Sequence, residues 1–235
     1  GISEIDKYLK LFGIGEKTGI ELRREDPQVR TERTRLLNLL DDATRFYEAN
    51  LARRKDVGAY LAERGMIGIT AKSFRLGYAE SGWDNLLNYL RGRGYAESEI
   101  DKVGLTVKKE TGGYYDRFRS RIMFPLFDSS GRIVGFSGRI FEKDVIGQKD
   151  ADAKYVNTPN TLFYDKSKLL YGFDRAKLEI RKQNAAILVE GQMDLIMSHQ
   201  AGVINAVAVS GTALTPYHLN NIKRLADNLI MSFDM

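Results

Sequence analysis

From residue 185 onward the chain alternates short apolar runs with amphipathic segments, and this pattern constrains the fold more than any other feature. The apolar runs predict three strands, at Ala185–Val189, 206–209 and 228–233. The segments between them predict two helices, at 194–201 and 216–225. Near-continuous apolar strands that alternate with helices are typical of a parallel sheet with helices on both faces. We therefore predict an α/β domain with a partial parallel sheet over residues 184–235.

The preceding part of the chain has a different pattern. Helical spacing of apolar residues predicts helices at 31–54, 57–63 and 83–90. Strands are predicted at 105–109, 122–128 and 133–139, with a tight turn at 129–131 joining the last two. Residues 31–183 are therefore predicted to form an α+β subdomain. Residues 1–30 are a lead-in segment whose origin the sequence does not explain.

Composition excludes several classes of protein. With 43% hydrophobic and 29% charged residues, the chain is typical of a globular protein, and no apolar run approaches the ~20 residues that span a bilayer. The absence of cysteine excludes disulfides and a thiolate zinc site. Because the N-terminus lacks a signal-peptide pattern, we expect a cytoplasmic location. The net charge is +5, and residues 108–182 alone carry 16 Lys and Arg against 10 Asp and Glu. Such a local excess favours a polyanionic partner, although an ordinary solvated basic face remains an alternative.

Acidic residues follow two of the predicted parallel strands. Glu190 comes directly after the first of them, and Asp234 comes directly after the third. Because the carboxyl ends of parallel strands meet at one edge, we predict that these two carboxylates converge. Asp194 falls in the first turn of the following helix. Carboxylates without a nearby His or Cys suit Mg²⁺ or Mn²⁺, so Glu190, Asp234 and Asp194 are the candidate catalytic residues, and Glu190 and Asp234 the candidate metal ligands. The alternative is that Glu190 is an ordinary loop carboxylate and Asp194 only a favourable charge at the helix N-terminus, and it stays open at this point.

Arginines alternate in the basic segment, at Arg117, Arg119 and Arg121. On an extended strand, alternate residues point to one face, so the spacing predicts a basic row. Guanidinium groups suit phosphate oxygens, and aromatic rings among them are typical of single-stranded nucleic-acid binding. For Tyr155 and Tyr171, packing in the interior is the alternative.

Several motifs, in order, resemble those of bacterial DnaG-type DNA primases. They are YLAERG at 60–65, LGYA at 76–79, YDRFRSRIMFP at 115–125, GRIVGFSGR at 131–139 and KYVNTP at 154–159. The motif EGQMD at 190–194 and the small residues SGT at 210–212 resemble the TOPRIM domain that these primases share with topoisomerases and some nucleases. In that domain an Asp-x-Asp pair follows the third strand; Asp234 matches its first member, so the resemblance implies a TOPRIM domain that is incomplete at residue 235.

The resemblance also implies a function. A primase core is a DNA-directed RNA polymerase that makes short RNA primers on single-stranded DNA by metal-dependent nucleotidyl transfer from ribonucleoside triphosphates. The implied partners are the template, the nucleotides, the RNA primer–DNA hybrid and, through a domain absent from this chain, the replicative helicase at the replication fork. The implied nucleotide-binding residues are Lys166, Asn157, Lys154 and Tyr155, and the implied DNA-binding residues are Arg117, Arg119, Arg121, Arg139 and Tyr171.

Two alternatives remain at the level of sequence. The chain could bind single-stranded nucleic acid without catalysing a reaction, or it could belong to another TOPRIM enzyme, such as a topoisomerase or nuclease.

Overall fold

The computed structural model describes residues 27–141, 144, 153–209 and 213–233. The chain divides into two compact units, residues 1–35 and 36–235. The first unit is described only from residue 27, where helix α1 (Pro27–Arg53) begins, and its side chains from Gln28 to Arg35 are exposed. Most of the predicted lead-in segment 1–30 lies outside the described residues.

The first part of the second unit is mainly helical. From residue 36 onward, α1 buries apolar side chains at the spacing of one helical face: Leu36, Leu39, Leu40, Ala43 and Tyr47. The helices that follow are short: α2 (Lys55–Glu63), α3 (Gly68–Ser73), α4 (Asn85–Gly92) and α5 (Glu97–Lys102). The three predicted helices are therefore present, whereas α3 and α5, of six residues each, were not predicted.

The helices of this part pack against a four-stranded antiparallel sheet. Its strand order is β1-β4-β5-β6, with β1 at Gly77–Ala79, β4 at Arg121–Phe127, β5 at Ile133–Ile140 and β6 at Tyr155–Asn157. A separate hairpin joins β2 (Thr106–Lys108) to β3 (Tyr114–Asp116). The predicted turn between β4 and β5 is confirmed: Gly131 has a φ of +81°, and the Asp128 carboxylate accepts hydrogen bonds from Ser130 and Arg132.

The last part of the chain forms the predicted parallel sheet. Strands β7 (Ala185–Val189), β8 (Ala206–Ala208) and β9 (Asn228–Ser232) lie in the order β8-β7-β9, and both pairings are parallel. Helices α6 (Phe173–Gln183) and α8 (Pro216–Lys223) share a buried cluster with Leu188 and Val207, whereas α7 (Gln192–Gln200) shares one with Val189 and Ala208. The helices thus cover both faces of the sheet, which confirms the predicted fold class.

One buried cluster spans the antiparallel and the parallel sheets. It contains Leu61 of α2 and Phe124 of β4 together with Val189, Leu195 and Ala208 of the parallel-sheet part. The two sheets therefore share a continuous core within the second unit. Among the helices of the described residues, none is long and apolar enough to cross a membrane.

Candidate functional site

The carboxyl edge of the parallel sheet carries the predicted acidic residues. Glu190 follows β7 directly and is exposed. Val189 pairs with Ser232 of β9, so Glu190 and Phe233 continue from neighbouring strand ends. Asp234 is the next residue and lies outside the described part of the chain, so its convergence with Glu190 stays a prediction. Within the described ranges there is no group of three or more His, Cys, Asp or Glu side chains that could hold a metal ion.

Asp194 has a structural role that the geometry makes explicit. It lies in the first turn of α7, and its Oδ2 accepts a hydrogen bond of 3.0 Å from the Gly191 N–H. The carboxylate therefore caps the helix, as one of the sequence alternatives proposed. Because the side chain is also exposed at the same sheet edge as Glu190, capping does not remove it from the candidate site.

Beside this edge lies a cluster of cations and rings. The Arg139 guanidinium carbon is 5.5 Å from the centre of the Tyr60 ring, and the Arg64 guanidinium carbon is 5.3 Å from the same ring. Burial raises the pKa of the Tyr155 hydroxyl; nearby Arg139 opposes the shift, and nearby Asp194 adds to it. Tyr155 is therefore within electrostatic reach of both the acidic edge and the cations. Tyr60 and Arg64 were not predicted as site residues, although they lie in a motif that carries the family resemblance.

A second cation–aromatic group lies at the surface. The Arg119 guanidinium carbon is 4.1 Å from the centre of the Trp83 ring and 5.1 Å from that of Tyr115. The two rings are in edge contact, with their centroids 5.3 Å apart, and Trp83 is 54% exposed. An exposed tryptophan beside a guanidinium offers both a stacking face and a positive charge. Trp83 was missed as a site residue because a lone aromatic residue has no spacing that distinguishes surface from core.

The predicted basic row of arginines is wrong in its geometry. Residues 117–120 are not a strand, because β3 ends at Asp116, β4 begins at Arg121 and Ser120 has a φ of +52°. Arg117 donates to the carbonyl oxygens of Gly104 and Thr106, and Arg121 donates to those of Gly138 and Ala153. Burial lowers the pKa of both guanidinium groups. These two arginines hold backbone segments together, and only Arg119 of the three reaches the exposed aromatic group.

The remaining predicted contact residues occupy different environments. Lys154 is exposed, and Lys166 and Asn157 are half-buried. The backbone N–H of Lys166 donates to the Asn160 side chain at 3.1 Å, and the Lys166 ammonium group takes no part in this bond. Tyr171 is only 1% exposed and forms a β-bridge with Ala208, so its ring has no face available to a base. The packing alternative therefore describes Tyr171 in this structure.

Asp116 organises the backbone beneath the exposed aromatic group. It is 2% exposed, and its two oxygens accept hydrogen bonds from the N–H groups of Leu86 and Leu87 at 2.8 and 2.9 Å. These donors begin α4, whose N-cap residue Asp84 makes no side-chain cap. The Asp116 N–H donates to the Trp83 carbonyl at 2.7 Å. Asp116 thus fixes the start of α4 and the backbone of Trp83.

The ionisation of Asp116 predicts a pH-dependent stability. Burial raises its pKa to about 6, although the bonds from Leu86 and Leu87 oppose the shift. Because the folded pKa lies above the ordinary value of 3.8, the folded state holds the proton more tightly. This contribution to stability is present below about pH 4 and is lost as the pH rises through about 6. It amounts to at most about 3 kcal/mol, at 1.36 kcal/mol for each pKa unit. We expect Asp116→Asn to flatten the profile of unfolding free energy between these pH values.

Urea unfolding at several pH values measures this effect. Glu110→Gln, at an exposed position in the β2–β3 turn, is the matched control and should follow the wild-type profile. Parallel profiles for the wild type and Asp116→Asn would refute the assignment.

A parallel sheet whose first strand leads into Glu190, with Asp194 opening the next helix, is the arrangement of a Toprim domain, and the Toprim domain family matches residues 184–235. The family described as DNA primase catalytic core, N-terminal domain, matches residues 46–177. The chain belongs to this family of DNA primase catalytic cores, as the resemblance of its motifs predicted. Membership of these families implies the use of a divalent metal ion in general.

Known primases resemble the chain over most of its length. It is 44% identical to a DNA primase of Deinococcus radiodurans over 74% of the chain and 30% of that protein. It is 39% identical to a DNA primase of Streptomyces coelicolor over 93% of the chain and 35% of that protein. The chain therefore spans about a third of the length of these relatives.

Solved primase structures show the same fold. The RNA polymerase domain of Mycobacterium tuberculosis primase DnaG superposes with a TM-score of 0.76 at 38% identity, covering 86% of this chain and 67% of that one. The same domain in complex with a double-stranded DNA oligomer with a 6-nucleotide overhang gives a TM-score of 0.77 at 38% identity, covering 86% and 64%. A DnaG primase catalytic domain bound to single-stranded DNA gives 0.74 at 33% identity, also covering 86% and 64%.

Proposed function

We propose that the chain is part of a DNA primase that synthesises short RNA primers on single-stranded DNA from ribonucleoside triphosphates. The observation that carries the proposal is the position of Glu190. It is an exposed carboxylate at the carboxyl end of a buried parallel strand, beside the Arg139–Tyr60–Arg64 cluster, in a chain of the primase family. Charge that develops on phosphates during nucleotidyl transfer requires such a combination of metal ligands and fixed cations.

The proposed metal is Mg²⁺ or Mn²⁺. An exposed carboxylate edge offers hard oxygen donors, which suit either ion. Glu190 and Asp234 would hold the metal, and Asp194 would lie beside it while it caps α7. When bound, the metal supplies charge neutralisation at the phosphates and activation of the attacking hydroxyl.

The chain's own residues would bind and orient the nucleic acid and the nucleotide. The Trp83–Arg119 pair would stack and neutralise the template strand. Arg139 is 6% exposed, so it would add positive charge near the catalytic edge without touching the strand. The nucleotide and the primer–template hybrid would meet Lys154, the β6 residues Tyr155 and Asn157, and Lys166 in the segment that leads to α6. Arg117 and Arg121 would act indirectly, since their guanidinium groups hold backbone carbonyls.

The proposed organisation has a basic, nucleic-acid-facing subdomain at 31–183 and a Toprim domain from 184. The protein would act at the replication fork in the cytoplasm, with the replicative helicase as a partner bound through another domain.

Incorporation of labelled ribonucleotides on a single-stranded template tests the proposal. The protein in its complete form should make short RNA only when Mg²⁺ or Mn²⁺ is present, and a chelator should stop it. DNA cleavage or relaxation without ribonucleotide incorporation would instead identify another Toprim enzyme. Binding of single strands without either reaction would leave a binding function alone.

The Trp83–Arg119 pair leads to a prediction on single-strand affinity. Loss of one stacked base costs about 1–3 kcal/mol, so Trp83→Ala should weaken binding by roughly tenfold or more, without changing its salt dependence. Arg119→Ala removes one phosphate contact, so it should also lower the slope of log affinity against log salt by about 0.7. Filter-binding titrations at several salt concentrations measure both quantities.

Ile69→Ala is the control for the tryptophan variant. Ile69 is a large apolar side chain that is 75% exposed, and its removal should leave affinity unchanged. Equal losses for Ile69→Ala and Trp83→Ala, or no loss for either, would refute the stacking role.

A further inference from the structure

A separate cavity lies on the face of the parallel sheet that α6 and α8 cover. Its volume is about 570 Å³, within the usual range of ligand pockets. Side chains from α6, α8 and the segment 163–173 line it, and the turn after β4 closes one side. The cavity therefore lies where the parallel-sheet part meets the end of β4, away from the edge that carries Glu190.

The cavity is a groove along α6 and α8, and the topology fixes its position relative to the sheet. Helices α6 and α8 each lead into a parallel strand, so their last turns lie at the amino edge of the sheet. Arg181 is four residues before β7, and Arg224 is four residues before β9. Both line the cavity. The cationic end of the groove is therefore at the sheet edge opposite Glu190.

The floor of the groove is apolar. Phe127, Phe163 and Phe173 line it, all three half-buried, together with Leu169, Leu170 and Leu225 from the connecting segments. Leu178 stands at the rim and is 73% exposed, so it adds apolar surface that a bound ligand can cover. An apolar floor of this size favours a ligand with apolar side chains over a bare phosphate chain.

The charge of the rim is positive and partly uncompensated. The two acidic lining residues are already paired, Asp128 with Arg132 and Asp165 with Lys168, each at 2.7 Å. In contrast, Arg181 and Arg224 are exposed and have no ion-pair partner among the residues that the structure describes. The groove thus presents two available guanidinium groups beside an apolar floor.

We propose that this groove binds an acidic, amphipathic peptide segment of a partner protein. Leucine or phenylalanine side chains of the segment would fill the floor between the phenylalanines and Leu178. Its carboxylates would pair with Arg181 and Arg224, which suit bidentate recognition of carboxylates. Two helices that run in the same direction on one face of a sheet leave a linear groove, which matches an extended or helical peptide. The site is independent of the proposed catalytic edge and needs none of its residues.

The test uses three short fluorescein-labelled peptides and the protein in its complete form. The first peptide alternates aspartate with leucine and phenylalanine, the second replaces its apolar residues by serine, and the third replaces its aspartates by lysine. Fluorescence anisotropy should detect binding of the first peptide only. Binding of the serine peptide with the same affinity, or binding of none, would overturn the proposal.

Matched variants assign the binding to the groove. Arg181→Glu combined with Arg224→Glu should weaken binding of the first peptide by roughly tenfold or more, because two charge pairs become repulsive. Lys182→Glu combined with Lys223→Glu makes the same change of net charge at the adjacent residues, which do not line the cavity, and should have little effect. Leu178→Ser should also weaken binding while primer synthesis on a bare template stays unchanged. If the arginine variant instead loses affinity for oligo(dT) and keeps that for the peptide, the groove is a nucleic-acid surface and the proposal is wrong.

Discussion

Primer synthesis should fall by about a thousandfold or more when Glu190 is replaced by glutamine, while affinity for single-stranded DNA stays at the wild-type level. The substitution keeps the size of the side chain and removes the negative charge that a divalent cation requires from a ligand. Glu190 is exposed and follows the end of β7, so the change disturbs no buried contact. Single-turnover extension of a labelled primer and a filter-binding titration measure the two quantities separately.

Two further variants make this result interpretable. Glu179→Gln removes a carboxylate of α6 that accepts hydrogen bonds from Lys182 and Gln183, and synthesis should be unchanged. Asp194→Asn should lower both activity and the free energy of unfolding, because Asp194 also caps α7. Undiminished synthesis by Glu190→Gln would remove the central residue from the proposed catalytic site.

Gly77→Ala should destabilise the protein by about 3 kcal/mol or more, the upper end of the range for overpacking a core. Gly77 lies in β1 opposite Met123 of β4, and an added Cβ would be 2.4 Å from the Cβ and 2.7 Å from the carbonyl carbon of Tyr47. Tyr47 is 1% exposed and part of α1, so these atoms cannot rotate away as a flexible side-chain end would. At this chain length the denaturation temperature should fall by roughly 10 °C.

Gly58→Ala is the matched control. Gly58 lies in α2, and an added Cβ would have no other heavy atom within 4 Å. Alanine is the better helix former, so this variant should be stabilised by roughly 0.5–1 kcal/mol. Thermal and urea unfolding of both variants provide the comparison. If Gly77→Ala unfolds with the wild type, β1 does not pack against α1 as described.

The parallel-sheet part could be predicted from sequence almost to the residue. Strand β7 has the predicted bounds, and β8 and β9 each end one residue early. For β7 and β8 the reason is physical, because a buried strand requires a continuous apolar run, and such a run is visible without knowledge of the partners. Strand β9 has a similar apolar run, although most of its residues are exposed in this structure. Strands β1, β3 and β6, of three residues each, were not predicted as strands. All three are too short for a periodic pattern, and β1 and β6 also depend on pairing with segments that are distant in sequence.

The site was predicted less completely than the fold. Glu190 could be placed because its position follows from the strand before it. The alternating arginines led to the wrong prediction of a basic row, because alternation alone does not establish a strand. Ser120 adopts a positive φ, and the guanidinium groups of Arg117 and Arg121 donate to nearby backbone carbonyls. Exposure also depends on tertiary packing, which buries Tyr171 and leaves Trp83 at the surface.

The buried cluster that contains Leu61, Phe124, Val189 and Leu195 has a thermodynamic consequence. Because the two sheets share it, neither can expose its apolar surface without disturbing the other, and residues 36–235 should unfold in one cooperative transition. A metal or nucleotide that binds only the folded state at the Glu190 edge then stabilises this whole unit. It therefore raises the melting temperature of the helices around Leu61 as well. Binding at the catalytic edge should accordingly slow hydrogen exchange in α2, although none of the predicted metal ligands lies in α2.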